Sequence, residues 1–373
     1  MPKRKDVPTL RCDAVSSSII RDYNARIPRD AINMALGQPE APMPGLTELA
    51  MVEAICNKRT GYTQTGGLSE LRKRLMSFGH DDGIEGWDSI VTVGATGALY
   101  LAFAVLVEQG EEAIVMNPGF GTYREQLKFL GAIPVEVPLT SDFGLDLGKI
   151  KRAITEKTRV IVINSPSNPT GRVIPRDQLD DLVAIVKPRG IWIVSDEIYA
   201  QLSWDKFESM FGLYDRAVII GGASKAYSMT GSRQGYALAP DWVIEGMTKL
   251  QEATTVCAPI MGQVAWYHSL DGVDLSERVE ALRNLSLHAY FRLKEAGVKI
   301  VQPGGTIYAF PKVPKGHSGE ELAEICLANG LGIIPGRAFG APNHVRITVD
   351  KPIKILDAGL DILIKSIEEL KEA

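Results

Sequence analysis

A lysine and an aspartate, each at the end of an apolar run, are the residues of this chain best placed to do chemistry. Lys225 follows Val218-Ile219-Ile220 within Ser224-Lys225-Ala226-Tyr227-Ser228, and Trp192-Ile193-Val194 leads into Ser195-Asp196-Glu197-Ile198-Tyr199. Both runs read as buried strands, which puts the two side chains at strand C-terminal ends, where open α/β sheets bind their ligands. An amine there can condense with a carbonyl group. A buried carboxylate is costly unless it meets a cation or hydrogen-bond donors, so Asp196 asks for a partner; capping a helix N-terminus is its structural alternative.

Other strand ends supply complementary groups. Gly94-Ala95-Thr96-Gly97 is a glycine turn opening a helix, which presents N–H groups and a positive dipole end to an anion such as phosphate. A tight turn without a ligand is the plain alternative. A dinucleotide site is a poorer reading, since the third glycine is missing and the next strand ends in Asn117-Pro118 rather than in a ribose-binding acid. Phe120, in Pro118-Gly119-Phe120-Gly121, can cover a flat ring or simply pack. Asn168, in the turn Asn164-Ser165-Pro166-Ser167-Asn168-Pro169-Thr170-Gly171, carries an amide able to donate to a phenolic oxygen. Tyr199 lies one helical turn past Asp196, and Ser224 and Arg233 flank Lys225. An anion-binding turn, an aromatic ring, an amide, a carboxylate and a lysine on one sheet form the inventory of a single ligand, pyridoxal phosphate. Its aldehyde takes the amine, and its ring nitrogen keeps a proton only beside an anion.

These residues need a sheet to hold them. Runs rich in Val and Ile at residues 89–93, 113–117, 133–137, 159–164, 191–195, 217–221 and 234–239 read as strands, and helical patterns at 97–108, 123–130 and 176–187 fall between several of them. The alternation predicts an α/β fold built on a mostly parallel seven-stranded sheet flanked by helices. From about Asp241 the pattern turns helical, then gives short strands at 306–310 and 344–348 before a last helix, as expected of a smaller α+β domain. The chain accordingly divides into an N-terminal segment, 1–40, packing with the small domain, a large cofactor-binding domain, 41–250, and a small C-terminal domain, 251–373.

Composition narrows the classes. Of 373 residues, 45% are apolar and 23% charged, as in ordinary globular proteins, and a net charge of −4 of mixed sign leaves no basic stripe for nucleic acid. The start, Met1-Pro2-Lys3-Arg4-Lys5-Asp6, has no apolar targeting core and no stretch is long enough to cross a bilayer, so a cytoplasmic protein without a membrane partner is expected. Cys12, Cys56, Cys257, Cys326 and the five histidines have no metal-ligand spacing, so no metal site is expected.

The same residues carry a resemblance. Over residues 36–348 the chain resembles the fold type I pyridoxal-phosphate enzymes of the class I and II aminotransferase family, most specifically through Asn168-Pro169-Thr170-Gly171, Asp196-Glu197-Ile198-Tyr199, Ser224-Lys225 and Arg233-Gln234-Gly235-Tyr236. The resemblance implies that Lys225 holds pyridoxal 5'-phosphate as a covalent aldimine and, once freed, is the base at the substrate Cα. It implies that Asp196 pairs with the ring nitrogen, that Asn168 and Tyr199 hold the ring hydroxyl, and that Phe120 stacks on the ring. Ala95, Thr96, Ser224 and Arg233 would bind the phosphate. Tyr62, in Tyr62-Thr63-Gln64-Thr65-Gly66-Gly67, matches a tyrosine that reaches the phosphate of the neighbouring subunit, which implies a homodimer with shared active sites. Arg346 matches the arginine that grips the substrate α-carboxylate, with Gly37 and Asn168 as further substrate contacts. The implied activity is ping-pong transfer of an amino group between an L-amino acid and a 2-oxo acid. A carbon–sulfur β-lyase on the same scaffold and, from another class, a non-catalytic cofactor-binding regulator are the alternatives. The chain departs from many relatives at Gln38-Pro39-Glu40-Ala41-Pro42-Met43 and at Gly222, where some carry a phosphate-binding serine. It departs again at Phe120, a tryptophan in others, and at Ser232 and Gln234, where apolar residues are usual.

Overall fold

The computed structural model of the chain describes residues 10–77 and 84–372. Strand β1 (Ile32–Asn33) lies near the N-terminus. The central part gives β2 (Trp87–Val93), β3 (Glu112–Asn117), β4 (Ile133–Pro138), β5 (Thr158–Asn164), β6 (Trp192–Asp196), β7 (Ala217–Gly222) and β8 (Gln234–Pro240). These seven form one sheet in the order β2-β8-β7-β6-β5-β3-β4. Strand β8 runs antiparallel to both β2 and β7, and the other pairings are parallel. The connection 223–233 that precedes β8 holds no helix, which is too little chain for the crossover that a parallel neighbour needs.

Successive side chains point to opposite faces of the sheet and enter two separate cores. Ile161, Ile193 and Ile219 pack on one side with Leu179 and Leu182 of helix Arg176–Val186. Val162, Val194 and Val218 pack on the other with Leu99 and Phe103 of helix Gly94–Leu106. Both faces are therefore dry, and the place left for a ligand is the row of strand ends. Helix Ile260–Gly272 joins the first core: Trp266 lies against Tyr236 of β8, ring centroids 5.8 Å apart. Its Ser269 shares a buried 2.7 Å hydrogen bond with Thr47 of helix Gly45–Cys56.

The remaining strands, β9 (Tyr308–Ala309), β10 (Leu331–Gly332), β11 (Ile334–Pro335) and β12 (Val345–Thr348), are short. Strands β11, β12 and β9 form an antiparallel sheet, whereas β10 pairs in parallel with β1. Helix Ile353–Glu372 covers this region with Leu356, Leu360, Leu363 and Ile367 buried at helical spacing. Next to the β1–β10 pair, the Thr348 N–H and hydroxyl donate to the carbonyls of Met34 and Leu36 at 2.8 and 2.9 Å. Residues 33–37 are thereby laid along the end of the sheet that carries Lys225. No helix among the described residues is long and apolar enough to cross a membrane.

Candidate active site

The strand ends open into one cavity of about 720 Å³. Ala95, Thr96, Phe120, Asn168, Asp196 and Tyr199 line it from the first strands of the sheet, and Ser224, Lys225 and Arg233 from the β7–β8 connection. Gly37 and Arg346 close it from the other side. Tyr62 is not among the lining residues; its side chain is 86% exposed.

Lys225 donates to the Gly37 carbonyl at 2.5 Å, and its Nζ stands 5.8 Å from the centre of the Tyr199 ring. Asp196, the last residue of β6, is 4% exposed. Its Oδ2 accepts from the Tyr123 hydroxyl at 2.7 Å and its Oδ1 from the Ile198 N–H at 3.2 Å. Burial pushes this carboxyl up to about 6, while the Tyr123 and Ile198 donors and the Lys225 charge pull it down. It caps no helix, for the next helical turn, Ala200–Leu202, begins after Tyr199. Asp196 is therefore a buried anion with two donors and, among the described residues, no cation in an ion pair with it. Asn164 fixes the corner: its Nδ2 donates to the Asp196 carbonyl at 2.8 Å, and its Oδ1 accepts from the Asn168 N–H at 2.7 Å.

The glycine turn is forced into shape by close approach. Gly94 has φ +71°, and a Cβ there would collide with the Arg233 guanidinium; a Cβ on Gly235 would collide with the Gly94 backbone. Strand β8 is thus pressed against the start of helix Gly94–Leu106. Arg233, itself at φ 55°, donates to the Thr230 carbonyl at 2.8 Å and has no ion pair among the described residues. A helix N-terminus, the Thr96 and Ser224 hydroxyls and a guanidinium without an ion pair among the described residues make a cup for a phosphate. Gly222 is explained by the same seam, because a Cβ there would stand 2.6 Å from the Gln234 carbonyl. Gln234 is fully buried and donates to the carbonyls of Ser232 and Pro259 at 2.9 and 3.0 Å, fastening the turn that carries Arg233.

Arg346, on β12, is 1% exposed. It donates to Asn168 Oδ1 at 3.1 Å and to the Ala35 carbonyl at 2.7 Å, and its guanidinium lies 4.3 Å from the Tyr308 ring centre and 4.9 Å from that of Phe339. Its Nε has no partner, and no carboxylate among the described residues pairs with it. A buried guanidinium with a spare donor is matched by a carboxylate, which meets its planar fork in two places.

Two tyrosines missed by the sequence reading complete the site. Tyr123 is the donor to Asp196, and its only advance signal is a position one turn after Phe120 on the same wall. Tyr308, on β9, shares a 2.9 Å hydroxyl–hydroxyl hydrogen bond with Tyr199. Burial raises Tyr308, but the Lys225 and Arg346 charges and the Tyr199 hydroxyl outweigh it and hold it below its usual value, whereas burial and Tyr308 hold Tyr199 well above. A Cβ on Gly37 would strike the Tyr308 hydroxyl, so only glycine lets its carbonyl reach Lys225 here.

The family described as aminotransferase class I and II matches residues 29–363. A probable aspartate aminotransferase of Methanocaldococcus jannaschii is 32% identical over 370 residues, covering 95% of this chain and 98% of that protein. The solved aspartate aminotransferase of Thermus thermophilus with maleate aligns at a TM-score of 0.91 and 29% identity, over 97% of this chain and 100% of that one. An aromatic aminotransferase of Pyrococcus horikoshii aligns at 0.87 and 29% identity, over 95% and 100%. The chain belongs to the class I and II aminotransferases. It is a pyridoxal-phosphate-dependent enzyme that moves amino groups between an amino acid and a 2-oxo acid.

Proposed function

We propose that this cavity performs reversible, ping-pong amino transfer with pyridoxal 5'-phosphate joined covalently to Lys225. One observation carries the reading: two buried charges of opposite sign, Asp196 and Arg346, each without an ion-pair partner among the described residues, share the cavity with a lysine. The residues fit that cofactor. Asp196 suits a protonated ring nitrogen, Phe120 a ring face, Asn168 and Tyr199 a ring hydroxyl, and Ala95, Thr96, Ser224 and Arg233 a phosphate. When bound, the group supplies a carbonyl for the amine and a ring that takes up negative charge. Arg346 fixes the substrate α-carboxylate through its unpartnered edge, and Asn168 holds the fork in place from the other. Lys225, once its amine is free, would be the general base at the substrate Cα, taking that proton and keeping it for return beside the Gly37 carbonyl that its amine reaches in this structure.

We also propose a homodimer with Tyr62 reaching the partner's phosphate cup. Helix Gly45–Cys56 turns Thr47, Ala50 and Ala54 inward, and exposes Leu46, Leu49, Val52 and Ile55 by 40, 54, 56 and 54%. An apolar stripe of this kind, followed by the bare Tyr62, supports burial against a second copy. Free thiols at Cys56, Cys257 and Cys326 support a cytoplasmic setting, and the β1–β10 pair supports grouping the N-terminal segment with the small domain, 251–373.

The test uses the purified, cofactor-loaded protein. An amino acid should bleach its visible absorbance, a 2-oxo acid alone should restore it, and borohydride reduction should leave the cofactor on Lys225. Release of ammonia and pyruvate, with absorbance regained in the absence of any oxo acid, would defeat the reading in favour of β-elimination.

A further inference from the structure

Tyr199 and Tyr308 meet in the wall of the cavity, hydroxyl to hydroxyl at 2.9 Å, with ring centroids 5.7 Å apart and the ring planes at 74°. Both side chains are buried, and neither hydroxyl has another hydrogen bond among the described residues. Each carries one proton. One of the two closes the bond between them, so the pair has a second proton to give elsewhere.

The surroundings fix Tyr308 in place. Its strand, β9, pairs with β12, the strand of Arg346, with Tyr308 opposite Thr348. The ring lies 4.3 Å from the Arg346 guanidinium, and the hydroxyl fills the space that a Cβ on Gly37 would need. Charge then sets the direction of the bond. Lys225, Arg346 and Asp196 are the charged groups that face the pair, and the two cations hold Tyr308 below its usual value while Tyr199 stands well above its own. In the chain alone, Tyr199 therefore donates and Tyr308 accepts. A ring hydroxyl lodged on Tyr199 reverses this. The Tyr199 proton then goes to the ligand, and the Tyr199 oxygen is left facing Tyr308, whose proton has no other acceptor among the described residues. The cations that make Tyr308 acidic also make it a strong donor, and each hydrogen bond of such a chain strengthens the next.

We propose that Tyr308 is a positioning residue that donates to the Tyr199 oxygen, and so aims and strengthens the proton that Tyr199 gives to the ring hydroxyl of the cofactor. The inference rests on the amino-transfer reading of the site, in which Tyr199 and Asn168 hold that hydroxyl. A stronger donor there draws negative charge from the ring oxygen and makes the nitrogen joined to Lys225 harder to protonate. The visible band of the loaded enzyme reports that proton, and its pH titration is the test. Tyr308→Phe keeps the ring beneath Arg346 and removes only the hydroxyl; its midpoint should lie about 0.5 pH unit or more above that of the parent. Tyr199→Phe should move the midpoint further in the same direction, by about 1 unit or more. The double variant should match Tyr199→Phe alone, because Tyr308 acts through Tyr199. Tyr308→Phe should also lower kcat about 3- to 10-fold and leave KM within about 2-fold, since the substrate carboxylate still meets Arg346. A parental midpoint in Tyr308→Phe, a double-variant shift equal to the sum of the single shifts, or a change confined to KM would overturn the proposal. If the parent shows no band that borohydride fixes on Lys225, the reading of the site itself has failed and the proposal falls with it.

Discussion

Replacing Asp196 with Asn should make the cofactor-free protein more stable and the loaded enzyme slower, two effects with one cause. In the fold the Asp196 carboxyl stands at about 6 against an ordinary 3.8. Ionising it in place therefore costs about 2 pKa units, on the order of 3 kcal/mol. Below about pH 4 the group is protonated in folded and unfolded chains alike, and the penalty is absent. Between about pH 4 and 6 the unfolded chain loses its proton first, so the folded parent loses stability as pH rises; above about pH 6 it bears the whole penalty. Glu197, pushed up to about 7 by its own burial, titrates in parent and variant and cancels to first order. An Asn at this position is neutral and its one oxygen can still accept from Tyr123, but its amide N–H₂ then replaces the acceptor of the Ile198 N–H and needs acceptors of its own. A net gain of about 1–2 kcal/mol at pH 8, and about none at pH 4, is expected. Urea unfolding of cofactor-free parent and variant at the two pH values, at one protein concentration, measures it. With cofactor present, release of the Cα proton should slow on the order of 100-fold or more, because the ring nitrogen loses its anion. A variant destabilised equally at both pH values would refute the claim that Asp196 is an uncompensated charge in the fold.

Arg346→Lys should lower kcat/KM about 100-fold for every donor, since an ammonium cannot serve the α-carboxylate, Asn168 and the Ala35 carbonyl together; a loss confined to one donor would contradict the assignment. Gly37→Ala should drive a methyl into the Tyr308 hydroxyl and cost about 1–3 kcal/mol in thermal or chemical unfolding, with slower turnover, whereas parent-like melting and rate would mean that residues 33–37 give way easily. Mixing Lys225→Ala with Tyr62→Phe subunits should give an activity different from the sum of the two parts if sites are shared, and a purely additive result would count against Tyr62 crossing the interface.

The central sheet was legible because its strands are buried on both faces, so β5, β6 and β7 read as unbroken Val and Ile runs whose ends mark the cavity. The opposite sense of β8 leaves no mark in its own residues, and only the missing helix before it carries that information. Strands β9 to β12 are two to four residues long, too short for a period, which is why Tyr308 went unnoticed although its neighbourhood read as extended. Tyr123 was hidden for a different reason: an aromatic on a helix reads as packing, and its one polar atom declares itself only when Asp196 arrives from a strand seventy-odd residues away. The contacts of Arg346 and Lys225 with residues 35 and 37 are made by backbone carbonyls, which have no signature in a sequence. Tyr62 is the reverse case, a clear motif whose side chain stays outside the cavity of a single chain.

Those carbonyls bear on how such an enzyme can change over generations. Any residue supplies a main-chain oxygen, so the stretch that touches the reacting lysine and the carboxylate-binding arginine can exchange its side chains without giving up either contact, Gly37 excepted. The sheet, by contrast, holds its chemistry in side chains that tolerate no such exchange. Point substitutions at residues 36 and 38 can therefore change what lines the cavity mouth while the carbonyl contacts to Arg346 and Lys225 stay in place.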